Sequence, residues 1–436
     1  MIRRLDTATL GAPGVARMLD RPPAAVDADI HRRVEEIVAT VRDKGDAALL
    51  EFTERFDRVA LTAGELAVTA EEMGAAEGVV GAATMRALQY AADRIERFHR
   101  ESAPRSWRMT DALGSRLGQE VRPLDRVAVY VPGGRATYPS TVLMTVIPAR
   151  VAGVKEIVLV SPPSPDKSLN PAVLAAARVA GVTEAYRIGG AQAVAALAYG
   201  TETIRRVDKI VGPGNIYVAL AKSRVFGDVG IDMIAGPSEV MVIADASADP
   251  EWVAADLLAQ AEHDPMARAV LLTPSRALVD AVAAAVERQL AALPRREIAG
   301  AALRAHGALV LTRSLEEAVE VANLLAPEHL ELQVAEPDAL LAQVRNAGAV
   351  FLGRYTPEVV GDYVAGPNHV LPTGGTARFA SALGTEDFVK RLSVIQYAPA
   401  GLLDAGPHVA ELARVEGLDG HGVAAAIRIE STGDHR

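Results

Sequence analysis

Apolar residues recur every three or four positions through "IHRRVEEIVATVRDKGDAALLEFTERF" and, less cleanly, through "EEMGAAEGVVGAATMRALQYAADRIERFHRES". That period lines one face of a helix, so the spacing predicts helices over residues 26–104 that pack on a sheet supplied elsewhere. From Arg126 the pattern changes. "RVAVYVPGG", "EIVLVSPP", "EAYRIGG" and "DKIVGPGN" are short β-rich runs closed by Gly or Pro, each leading into helix-like segments such as "NPAVLAAARVAG" and "AQAVAALAYG". Strand, turn and helix at this pitch predict a parallel, right-handed βαβ array.

A second array begins after Pro237, with "EVMVIAD", "RAVLLTPS" and "ALVLTRS" alternating with helices such as "DPEWVAADLLAQAEH" and "SLEEAVEVANLL". Beyond about Arg378 the rhythm stops, and "ASALGTEDFVKRLSVIQYAP" together with the rest of the chain reads as an appended helical arm. The expected fold class is α/β, with two Rossmann-like lobes built on parallel sheets, an N-terminal helical segment and a C-terminal helical arm.

Composition narrows this picture. A chain of 436 residues is long for one core, and aromatics at 4 % suit parallel sheets flanked by small-residue helices. The formal charge of -10 is spread without a basic block, so nucleic acid is not an expected partner. The opening "MIRRLDTATLGAPG" lacks the apolar core of a secretory signal and no apolar run is long enough to cross a bilayer, which predicts a cytoplasmic protein without membrane contact. There is no cysteine, so disulfides, thiolate nucleophiles and Cys-type metal sites are excluded. Any metal must be held by His, carboxylate or amide oxygen.

Candidate chemistry clusters at the ends of elements. "LLAQAEHDP" places Gln260 and His263 three apart, on one face if the run is helical. The G-x-G-x-x-G fingerprint is absent, but "VPGGRATYPS" and "VGPGNIYVA" lead into helix N-termini whose free N–H groups could take a pyrophosphate; such turns are also ordinary α/β punctuation. His31, His99, His306 and His435 read as solvated, whereas His263, His329, His369 and His421 each fall beside Gly, Pro, Asp or Glu at an element's end. In "LAPEHLEL", Pro327 ends a helix and leaves Glu328 beside His329. A carboxylate and an imidazole in one cavity are two bases suited to two proton transfers, and an exposed pair at a helix stop is the alternative. "GDYVAGPNHVLPTGG" carries Asp362, Asn368 and His369, with His369 read as a loop brace; "VEGLDGHG" carries Glu416 and His421, equally readable as a polar turn before a strand "AAAIRI". Gln260, His263, Asp362 and His421 together would suit zinc, though spacing leaves open whether they meet.

In order and spacing, "VYVPGGRATYPSTVLMTVIPARVAGV", "GGAQAVAALAYGT", "KIVGPGNIYVALAK", "GIDMIAGPSEVMVIAD", "DLLAQAEHDP", "LAPEHLEL", "GDYVAGPNHVLPTGGTARFASAL" and "EGLDGHGVAAAIRI" resemble the motifs of the histidinol dehydrogenase family, from about residue 25 onward. The resemblance implies oxidation of L-histidinol to L-histidine through the aldehyde with two NAD in succession, the last step of histidine biosynthesis. It implies zinc on Gln260, His263, Asp362 and His421; substrate contacts from Ser238, His329, Glu416 and the zinc ligands; Glu328 and His329 as acid–base residues; and NAD against Tyr130, Gln192 and Asn215. It implies a homodimer whose C-terminal arm completes the partner's site.

The expected boundaries are 1–25 for an N-terminal extension, 26–130 with 239–378 for a metal and substrate domain, 131–238 for an NAD domain and 379–436 for a dimerisation arm. The resemblance also implies relatives that oxidise other small polyols, including sulfonated diols, so another amino alcohol or a sulfonated diol is the alternative substrate, but the Glu416 carboxylate favours a substrate ammonium over a sulfonate. On residues alone, a non-catalytic two-lobed binder and a hydrolytic zinc enzyme stay open.

Overall fold

The computed structural model describes residues 2–20, 28–133 and 137–433. In chain order the elements are β1 (Arg3–Asp6), α1 (Thr7–Leu19), α2 (Ala28–Lys44), α3 (Asp46–Asp57), α4 (Ala70–Glu101), β2 (Trp107–Thr110) and β3 (Arg116–Pro123). The first alternation comprises β4 (Arg126–Tyr130), α5 (Pro139–Ala152), β5 (Glu156–Val160), α6 (Pro171–Ala180), β6 (Glu184–Tyr186), α7 (Gly190–Tyr199), β7 (Lys209–Val211), α8 (Ile216–Val225) and β8 (Gly230–Ile231). The second comprises β9 (Glu239–Ala244), α9 (Pro250–Ala261), β10 (Arg268–Thr273), α10 (Arg276–Ala292), α11 (Arg296–His306), β11 (Ala308–Leu311), α12 (Leu315–Leu325), β12 (His329–Gln333), α13 (Pro337–Leu341), β13 (Ala349–Leu352) and α14 (Glu358–Tyr363). β14 (Val389–Gln396), α15 (Pro399–Glu416) and α16 (Asp419–Gly433) close the chain. No helix among the described residues is long and apolar enough to cross a membrane.

Two compact units result, one from Met1–Ser102 with Asp125–Phe388 and one from Ala103–Leu124 with Val389–Arg436. The first holds two sheets, of order β6-β5-β4-β7-β8 and β1-β11-β10-β9-β12-β13, in which every pairing is parallel. Their central strands are buried end to end, as parallel strands covered on both faces must be: every residue of β4, β9, β10 and β12 is inside. The N-terminal helices do find their sheet. Val34, Ile37, Val38, Val41, Leu49 and Phe52 of α2 and α3 share the core of the five-stranded sheet with the alanines of α7. Arg3–Asp6, inside the stretch read as an extension, pairs with β11 as the edge strand of the other sheet. His435 lies outside the described residues, as does the centre of "VPGGRATYPS".

The second unit corrects two readings. "VKRLSVIQ", expected to be helical, is β14, antiparallel to β3 from Val389↔Pro123 to Gln396↔Arg116, with β2 on the far side of β3. Its partner lies about 270 residues earlier in the chain, so no local signal announces it. Conversely "AAAIRI", read as a strand, lies inside α16, where its alanines exert their helix preference. α15 and α16 pack on each other and leave Leu412, Val415, Val423 and Ile427 exposed.

Candidate functional site

Two features of the first unit gather the candidate residues. At the carboxyl ends of β4, β5, β6 and β7 opens a cavity of about 1060 Å³, lined among others by Tyr130, Pro162, Gln192 and Asn215. Ligands of open parallel sheets sit at such an edge. Asn215 caps α8, its Oδ1 accepting from the N–H groups of Tyr217 and Val218 at 3.0 and 3.2 Å. The Tyr130 hydroxyl accepts the Gly190 N–H at 3.0 Å, and burial pushes its pKa up to about 12. The turn before Asn215 is held from two sides: Asp232 accepts the Gly212 N–H at 2.8 Å, and Lys222, paired with Asp232, donates to the Gly212 carbonyl at 3.0 Å. The sequence reading missed one wall, since α3 contributes Phe52, Phe56 and Asp57, whose carboxyl burial raises to about 6.

The second feature lies at the amino ends of β9 and β12, the opposite edge from that rule. α12 stops at Leu325, with Ala326 in the left-handed region at φ +50°, and Glu328 then enters the interior just before His329 begins β12. Neither is exposed, so the solvated reading of the pair fails. One residue orients both: the Glu239 N–H donates to Glu328 Oε2 at 2.9 Å, and the Glu239 carbonyl faces His329 Nδ1 at 2.9 Å. Glu239 is fixed in turn by a buried ion pair with Arg268 and by accepting the Gly374 N–H at 3.1 Å. Ser238, half-buried, immediately precedes it.

His329 Nε2 has no hydrogen-bond partner among the described residues and stands 3.7 Å from Glu358 Oε1. His329, Glu358 and Asp362 each offer a ligand atom within 4.8 Å of the others. Asp362 also has His369 Nδ1 at 3.9 Å, so His369 sits against the cluster. Burial raises the Glu328 and Glu358 carboxyls well above the usual range and lowers His329 to about 4; His369 is lowered too, and His263 stands near enough to oppose protonation of both rings. Gln260 is the penultimate residue of α9, wholly buried, and neither end of its amide has a partner among the described residues. His263 comes just past the helix end, exposed, its N–H donating to the Gln260 carbonyl at 3.3 Å. Glu416 and His421 are exposed on α15 and α16 of the second unit.

The sequence reading missed Glu358, Glu331 and Asp256. Glu358 precedes Asp362 by four residues in "EVVGDY", a spacing that puts both on one helix face and could have drawn attention to it. Glu331, two residues past His329 in "LAPEHLEL", is fully buried in β12. His99, read as solvated, is also buried, both ring nitrogens lacking partners among the described residues, and burial lowers its pKa to about 4.

Comparison with known proteins places these features in a family. Residues 20–429 match the family model described as histidinol dehydrogenase. The chain is 59 % identical over 399 residues to the histidinol dehydrogenase of Geobacillus kaustophilus, covering 92 % of this chain and 94 % of that one. With the Synechococcus histidinol dehydrogenase it shares 55 % identity over 407 residues, 93 % of this chain and 94 % of the other. The crystal structure of histidinol dehydrogenase from Elizabethkingia anophelis superposes with a TM-score of 0.95 at 37 % identity, covering 99 % of both chains. With its two parallel sheets and its buried Glu328–His329 pair, the chain belongs to the histidinol dehydrogenase family.

Proposed function

We propose that this chain oxidises L-histidinol to L-histidine through L-histidinal, the last step of histidine biosynthesis, consuming two NAD with zinc in the substrate site. The observation that carries the reading is the grip of Glu239 on Glu328 and His329 together. A carbonyl can only accept, so His329 Nδ1 carries the proton and the neutral ring keeps its lone pair on Nε2, directed toward Glu358 and Asp362. An imidazole kept unprotonated by burial is ready to take the hydroxyl proton of an alcohol as its carbon is oxidised. Glu328, held through one carboxylate oxygen, is placed to take a proton from the water that adds to the aldehyde before the second oxidation.

The residues fit a metal. A buried amide with both ends unpaired is costly unless something coordinates it, and among the described residues Gln260 has that form; with His263 and Asp362 it makes a nitrogen and oxygen donor set suited to zinc. Tyr130, Gln192 and Asn215 would hold NAD in the cavity they line. When bound, NAD supplies the two-electron acceptor, and zinc supplies a Lewis acid that fixes the substrate's imidazole and amine nitrogens. Ser238 would add a substrate contact. We assign the remaining contacts, to metal and substrate ammonium, to the partner subunit's His421 and the partner subunit's Glu416 in a homodimer.

Stoichiometry tests this. Purified protein with L-histidinol, zinc and NAD is expected to yield two NADH per histidine. One NADH with released aldehyde, or none, overturns the assignment, and a panel of amino alcohols and sulfonated diols would then identify the oxidised substrate.

A further inference from the structure

Beneath the candidate site lies a second layer of polar groups that the proposed chemistry does not use. Asp256 stands one helical turn before Gln260 on α9, Glu331 two residues after His329 on the same face of β12, and Glu358 one turn before Asp362 on α14. These three are joined. Gln333 Nε2 donates to Asp256 Oδ2 at 2.6 Å and to Glu331 Oε2 at 2.7 Å, and Glu331 Oε1 accepts the main-chain N–H of Glu358 at 2.8 Å. Glu331 is fully buried, and Gln333 and Asp256 nearly so. The network thus links α9, β12 and α14, each at a position one structural period from a site residue.

Burying two carboxyls is an expensive way to pack a helix on a strand, because apolar side chains of similar volume hold such elements together as well or better. Hydrogen bonds supply what apolar contact lacks, a fixed distance and direction. We infer that Glu331, with Gln333 and Asp256, is a positioning residue that sets the spacing of α9 and α14, and so the separation of Gln260 and Asp362 as donors to one metal ion. This rests on the zinc reading of those residues. The role is that of the outer hydrogen bonds that orient metal ligands, whose loss lowers metal affinity about 10–100-fold.

The test compares the full-length parent with Glu331→Leu, which removes the acceptor at similar volume, and Glu331→Gln, which keeps an acceptor for the Glu358 N–H. Zinc transfer to a chromophoric chelator is measured without substrate or NAD, beside circular dichroism and the split between kcat and KM. Glu331→Leu is expected to hold zinc about 10–100-fold more weakly with its helical signal intact, and Glu331→Gln to stay near the parent. If Glu331→Leu does not fold, Gln333→Leu, which removes the amide that donates to both Asp256 and Glu331, is expected to weaken zinc in the same direction. A folded Glu331→Leu or Gln333→Leu with the parent's zinc affinity and KM overturns the inference. A parent that binds no zinc fails before any variant is compared, and overturns the zinc reading and this inference with it.

Discussion

The Glu239 carbonyl accepts the Nδ1–H of His329 at 2.9 Å, so a main-chain atom at the start of β9 decides which nitrogen of the His329 ring is basic. Because β9 and β12 are adjacent parallel strands, with His329 in register with Val240, the carbonyl stands beside the ring, which cannot turn without giving up that hydrogen bond. His329→Asn is expected to lower kcat by about 10²–10⁴-fold. Zinc content and the NAD dissociation constant should stay near the parent's, which metal analysis and cofactor titration check. Loss of NAD binding would mean that the ring serves the fold rather than the chemistry.

Arg268 and Glu239 form an ion pair with both side chains buried, and Arg268 also donates to the Leu19 carbonyl at 2.7 Å. Arg268→Ala strands the Glu239 carboxylate and is expected to cost about 3–5 kcal/mol of stability. The urea midpoint measures this, and the double change Arg268→Met with Glu239→Gln should recover part of the loss.

His99 carries a pH dependence remote from the site. Its pKa falls from an ordinary 6.5 to about 4 in the fold, principally through burial, so the folded chain binds fewer protons than the unfolded chain between those values. The neutral ring's contribution is intact above about pH 6.5 and is lost as the pH falls toward about 4. The melting temperature should therefore decline on acidification through this window. His99→Phe should flatten that part of the profile, and an unchanged slope would show that other groups dominate it.

The turn before α8 is fixed by shape. Gly212 has φ +112°, and a Cβ there would collide with the Tyr130 carbonyl oxygen. Gly212→Ala is expected to displace the end of β4 and raise the KM for NAD with zinc content unchanged. Asn215→Ala removes the α8 cap, costs about 1 kcal/mol, and should move the KM for NAD in the same direction. A cofactor titration on each variant checks both.

Much of the architecture is legible because its signals are local. The strand–turn–helix rhythm after Arg126 can be read from short windows, as can the helix stop at Pro327 and the Gln260/His263 spacing at the end of α9. What escapes is non-local. Glu331 lies in a strand covered on both faces, so its charge marks a buried network rather than the solvent side that alternation suggests. His99 sits among Arg97, Arg100 and Glu101, and only the packing of α4 reveals it as interior. β14 depends on a partner strand that local pattern cannot supply.

The cavity lies past the ends of its strands, at the carboxyl edge of one sheet, whereas the carboxylate and imidazole cluster precedes its strands, at the amino edge of the other. Different connecting segments therefore build the two features, and Asp232 ties them together, since it lies in the segment that runs into β9 and holds the Gly212 turn of the cavity. For protein engineering, libraries over the turns after β4 to β7 and over the segments entering β9 and β12 sample largely different positions, provided that Asp232 is held fixed in both.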